Sequence, residues 1–114
     1  MQAPVVVTFR SMDRSPAVEQ WIESSVEQLV QSFRAIERCS VVIEIPHRHQ
    51  RQGQTFHVRI ELTVPDRVIT VSRDPGLDQA HEDVYVALAD AFRAARRQLQ
   101  DHAHIRRGDV KLHA

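Results

Sequence analysis

A chain of 114 residues and 13.1 kDa has room for one hydrophobic core and too few residues for two ordinary domains. Its 42% hydrophobic and 26% charged content excludes a disordered or fibrous chain, and apolar runs such as Val5-Val6-Val7 fall far short of the roughly 18 residues that a membrane span needs. Fifteen Lys and Arg balance 15 Asp and Glu, so bulk attraction to nucleic acid is not implied and any such role must come from sorting the charges into patches.

The opening Met1-Gln2-Ala3-Pro4 carries neither the basic region nor the apolar stretch of a secretory signal, and the expected location is the cytoplasm. Residues 4–10 are β-branched and aromatic and predict a first strand. Ser15-Pro16 then supplies an N-cap with proline at the first helical position, where its missing N–H costs nothing. Val18, Trp21, Ile22, Val26, Leu29, Val30 and Phe33 follow at three- and four-residue steps, the core stripe of a helix of about five turns, with Glu19, Glu23 and Glu27 on its outer face.

Cys39, Val41, Ile43 and Ile45 alternate with Ser40, Val42 and Glu44, which predicts a second strand. As the sole cysteine, Cys39 excludes an internal disulfide, and its place in the alternation makes it a buried packing residue. Pro46 ends this strand, and residues 47–53 form a polar, basic connection. Phe56, Val58, Ile60, Leu62 and Val64 alternate without a break, the clearest strand signal in the chain. Pro65-Asp66 turns the chain into a fourth strand over residues 67–73, and Asp74-Pro75-Gly76 ends the sheet.

A last helix begins between Asp78 and Asp83 and runs to about Ala103, with Val84, Leu88, Ala91, Phe92, Ala95 and Leu99 buried. The expected fold is therefore α+β, ordered β-α-β-β-β-α. Strands one and two are parallel through a right-handed crossover, the rest are antiparallel, and both helices cover one face. The other face, with Glu44, His57, Arg59, Glu61, Thr63, Thr70 and Ser72, stands in water. Residues 1–104 form the single domain and 105–114 a polar tail.

The candidate chemistry lies in the sorting of charge. Arg93, Arg96 and Arg97 project opposite the buried stripe of the last helix while Asp83, Asp90 and Asp101 gather on one flank, and Arg106, Arg107 and Lys111 extend the basic end. Arg48 and Arg51, with His47 and His49, make a second basic cluster on a loop. Fourteen of the 15 basic residues are arginine, which suits bidentate phosphate contacts and ordinary salt bridges equally. His47, His49 and His57 lack a carboxylate or thiol at ligand spacing, so no metal and no cofactor is expected. No phosphate loop, H-E-x-x-H motif or nucleophile elbow is present, no serine is paired with a histidine, and Glu44 and Glu61 read as members of a salt-bridge lattice with Arg59 and His57. The chain reads as a binding protein and not as an enzyme, and Trp21 and Phe33 read as core.

The element order, with Asp83-Val84-Tyr85-Val86-Ala87-Leu88-Ala89-Asp90, then Arg97-Gln98-Leu99-Gln100-Asp101-His102, and an early Val18-Glu19-Gln20-Trp21-Ile22-Glu23, resembles the ribosome hibernation promoting factor family, also called ribosome-associated translation inhibitors, over residues 5–104. The resemblance implies binding to the small ribosomal subunit and its rRNA, in the channel that messenger and transfer RNA otherwise occupy, with Arg96, Arg97 and His102 among the contacts. Gln100, Asp101 and Ala103 depart from the family's usual lysines in the closing run. The long family form carries a dimerising domain without counterpart in these residues, while Gly108-Asp109-Val110-Lys111-Leu112-His113 resembles the junction to a cold-shock domain in fused relatives. No membrane or DNA partner is expected, and the oligomeric state is left open. The competing reading is a protein-interaction module that uses the exposed sheet face or an edge strand.

Overall fold

The computed structural model describes the backbone of residues 3–45, 56–73 and 83–113, and side chains within these as far as Ser72 and Ile105 in the last two stretches. Its elements are β1 (Val5–Arg10), α1 (Pro16–Ser32), β2 (Arg38–Glu44), β3 (His57–Val64), β4 (Arg67–Arg73) and α2 (Val84–His113). The strands lie in the order β1-β2-β3-β4, with β1 parallel to β2 and the other two pairs antiparallel. This is the expected fold, and β4 has the expected bounds.

Local chemistry sets the ends of the helices. Ser15 adopts an extended backbone and its hydroxyl accepts from the Val18 N–H at 3.3 Å, which satisfies one of the free donors of the first turn of α1, while Pro16 begins the helix. At its far end the Phe33 N–H donates to the Leu29 carbonyl at 2.7 Å. At the start of α2, Asp83 Oδ1 accepts from the Tyr85 N–H at 2.8 Å, while Asp78 lies outside the described residues. Between β1 and α1, Ser11 takes φ 58°, the left-handed region that a side-chain-bearing residue enters at a cost of about 1 kcal/mol.

The sheet is one-sided. Cys39, Val41 and Ile43 of β2, Val58, Ile60, Leu62 and Val64 of β3, and Ile69 and Val71 of β4 are all buried beneath the helices. Val18, Ile22, Val26 and Leu29 of α1 and Ala87, Leu88, Ala91, Phe92, Ala94, Ala95 and Leu99 of α2 close the core from above. Each large aliphatic side chain so enclosed contributes about 1.5–3 kcal/mol of transfer free energy. Four of the α2 positions are alanine, so its backbone lies close to the sheet. Trp21 and Phe33, expected in the core, are half-buried along the seam between the helices. Trp21 meets Tyr85 and Phe92 edge to face, with centroids 6.0 and 5.9 Å apart.

The end of the last helix also differs from expectation. The last helix does not stop near Ala103: its backbone stays helical to His113, through the stretch read as a polar tail. The charged residues there have ordinary helix propensity, and Gly108 alone is too weak a breaker to end a helix already nucleated over several turns.

Burial pushes the Cys39 thiol from its usual value near 9.0 up to about 12. The unfolded chain then loses this proton before the folded one, so the associated stability is intact below about pH 9 and drains away between about pH 9 and 12. Urea unfolding at about pH 8 and 10.5 is expected to show roughly 2 kcal/mol more alkaline loss in the native protein than in Cys39→Ala. Thiol reagents are expected to reach Cys39 only in denaturant.

Candidate nucleic-acid interface

The outward side of α2 follows from its buried side. With about 100° per residue, Arg97, Gln100 and His104 all fall within about 40° of Arg93, and all four are exposed. They form a row along the helix, opposite the alanines that face the sheet. Arg93 donates from Nη1 to Asp90 Oδ1 at 3.2 Å, one helical turn away, and its side chain remains 66% exposed. Arg97 makes no ion pair among the described residues.

Arg96 points elsewhere. It lies about 60° round the helix toward α1, with its guanidinium carbon 5.9 Å from the centre of the Phe33 ring. This cation–π contact leaves the charge at the mouth of the seam. The acidic flank is also as expected: Asp90 and Asp101 lie on the side of the arginine row away from Arg96, so negative charge borders the row there. On α1, Glu23 and Glu27 are exposed and Glu19 is held by Arg14 at 2.6 Å.

His102 does not join the row. Nine residues after Arg93 it sits about 180° round the helix, 7% exposed, with Nε2 3.0 Å from Asp66 Oδ1 in the turn between β3 and β4. The same arithmetic that groups the arginines excludes it; the family motif alone places it among the contacts. His102 ties α2 to the β3–β4 hairpin, and Arg67 adds its Nε 4.0 Å from Asp66 Oδ2. Arg48 and Arg51, like His47 and His49, lie outside the described residues. Arg106, Arg107 and Lys111 lie on helical backbone beyond the described side chains. By register, positions 107 and 111 continue the row and position 106 does not.

The open sheet face carries the anticipated lattice. Arg59 Nη2 donates to Glu61 Oε2 at 2.7 Å, and His57 stands between Ser72 Oγ, 2.9 Å from Nε2, and Glu44 Oε1, 3.9 Å from Nδ1. The sequence reading pairs no serine with a histidine, so this contact is a correction: residues 15 apart are brought side by side by the β3–β4 register, which sets Arg59 opposite Ser72. Nucleophilic chemistry is nevertheless poorly served. Ser72 is exposed on a strand, where among the described residues no turn gathers N–H groups around a developing oxyanion, and the Glu44 distance is too long for a hydrogen bond that orients the imidazole. A shallow depression of about 370 Å3 covers this patch, lined by Thr8, Arg10, Glu44, His57, Arg59 and Glu61 among others. Among the described residues no three His, Cys, Asp or Glu come together as a metal site, and no helix is long and apolar enough to cross a membrane.

A one-sided four-stranded sheet backed by two helices, in the order β-α-β-β-β-α and with an outward arginine row on the second helix, defines the class as α+β. The model of the sigma 54 modulation protein / S30EA ribosomal protein family matches residues 5–107, and the chain belongs to that family. No curated protein matches it. Among solved structures it is similar to a ribosomal subunit interface protein from Coxiella burnetii, with 15% identity, TM-score 0.70, 89% of this chain covered and 98% of that one. It is also similar to the N-terminal domain of Thermus thermophilus Protein Y, with 16% identity, TM-score 0.66, and coverage of 90% and 99%. At these identities the likeness is one of fold.

Replacing His102 with alanine removes a part-buried hydrogen bond to a carboxylate and leaves a small void. The expected cost is about 1.5–3 kcal/mol in urea unfolding, while Arg97→Ala is expected to change stability by less than about 0.5 kcal/mol.

Proposed function

We propose that this chain is a ribosome-associated RNA-binding domain that acts by steric occlusion. It occupies the messenger and transfer RNA channel of the small subunit and silences translation when the cell is under stress. Its place of action on this reading is the cytoplasm, where ribosomes work. The observation that carries the reading is the row of Arg93 and Arg97 on the outer face of α2, in a chain belonging to a family described as ribosomal. Guanidinium groups one turn apart on a rigid helix suit phosphates along an RNA backbone, and each neutralised phosphate releases condensed counterions, so a neutral chain gains affinity from a local patch.

Arg96 belongs to the same surface from the seam side, Arg107, Arg48 and Arg51 are proposed to extend it, and Arg106, which is off the row by register, is proposed to reach RNA from another side of the end of α2. The role proposed for His102 is indirect: it holds α2 on Asp66 and so fixes the direction in which the row points. No step of this mechanism makes or breaks a covalent bond, and none calls for a cofactor. Use of the open sheet face by a protein partner is supported less well, because its Arg59 is already paired with Glu61.

Cosedimentation with small ribosomal subunits tests the proposal. Binding is expected to fall steeply between low and physiological salt, and Arg93→Glu with Arg97→Glu to abolish most of it and to reduce the salt slope by about one for each phosphate no longer neutralised. Retention that ignores salt, or an unchanged double variant, would contradict it.

A further inference from the structure

The side of the molecule away from the arginine row presents a second surface. β1 is an edge strand. The Cys39 N–H donates to the Pro4 carbonyl at 3.0 Å and the Ile45 N–H to the Arg10 carbonyl at 3.3 Å, so the even-numbered residues of β1 turn their backbone groups to β2. By the two-residue period of a parallel ladder, the N–H and C=O groups of Val5, Val7 and Phe9 face outward.

Edge strands are normally blunted by charges, proline or a bulge, and β4 has an arginine at each end and α2 packed along it. Pro4 and Arg10 mark the ends of β1, and among the described residues no charge or proline interrupts the Val5-Val6-Val7-Thr8-Phe9 stretch between them. Beside it runs a groove of about 520 Å3 between β1 and α1, with Val5, Val26 and Val30 on its floor, Glu23 and Glu27 on its rim, and Arg34 in the same lining.

We propose that β1 and this groove accept an extended, basic segment of a partner protein, which adds as a fifth strand. The open backbone groups supply the hydrogen bonds. Long lysine or arginine stems lie along the valine floor and carry their charges to Glu23 and Glu27. A second copy of this chain fits less well. Antiparallel pairing of β1 with itself would set groove against groove and bring the glutamates of each α1 toward those of the other, an arrangement that like charges oppose.

The test uses the whole chain and three fluorescein-labelled peptides of about ten residues. One alternates Arg with Val, the second alternates Glu with Val, and the third is the Arg peptide N-methylated at alternate residues along one edge. Anisotropy is expected to show binding of the first alone. Hydrogen exchange by NMR is expected to slow at the Val5, Val7 and Phe9 amides when it binds. Reversing the exposed charges in Glu23→Lys with Glu27→Lys is expected to weaken binding by at least about tenfold without disturbing the fold. Equal binding of the Glu peptide, retained binding of the N-methylated one, unprotected β1 amides, or self-association through β1 in place of peptide binding would each overturn the proposal.

Discussion

Everything about where this molecule can touch another follows from a single constraint: its sheet is apolar on one side only. Two alternating strands, β2 and β3, send Cys39, Val41 and Ile43 and then Val58, Ile60, Leu62 and Val64 to the same face. Once that face exists, both helices must cover it, because nothing else in the chain has a matching apolar stripe. The helices in turn have no freedom over which residues look outward. The arginine row, the acidic rim of α1 and the polar lattice of the open sheet are three consequences of one partition between apolar and polar positions.

The partition is legible in the sequence because period-two and period-3.6 patterns are direct readouts of burial. The bounds of β4 can be read to the residue, and the cap at Ser15 and the glutamate members of the sheet lattice need only local rules. Other features escape because they depend on register between distant segments. No local rule announces that His57 meets Ser72, or that His102 reaches across 36 positions to Asp66. The burial of His102 nonetheless follows from its angle on the helix, and the motif match obscures it. The end of α2 is hidden for a different reason. A polar run with fair helix propensity looks the same whether it frays or continues, and the ordered turns that precede it are what tip the balance.

The two helices divide the labour electrically. A neutral chain can carry a basic face only if it also carries an acidic one, and here the two are borne by different helices on the same layer. Phosphate attracted to α2 is repelled from α1, so the molecule has an electrical direction as well as a shape. That direction would orient an approaching polyanion before any contact forms.

The alanines beneath α2 have one more effect. Ala87, Ala91, Ala94 and Ala95 bring the helix so near the sheet that it cannot roll: turning it by a single position would drive Ala94's neighbour Arg93 or the bulk of Arg96 into space sized for a methyl group. Small side chains that carry no charge and touch no partner thus act as the rotational stop of the helix, and the aim of every arginine above them is set by residues with almost nothing to offer but their absence of size.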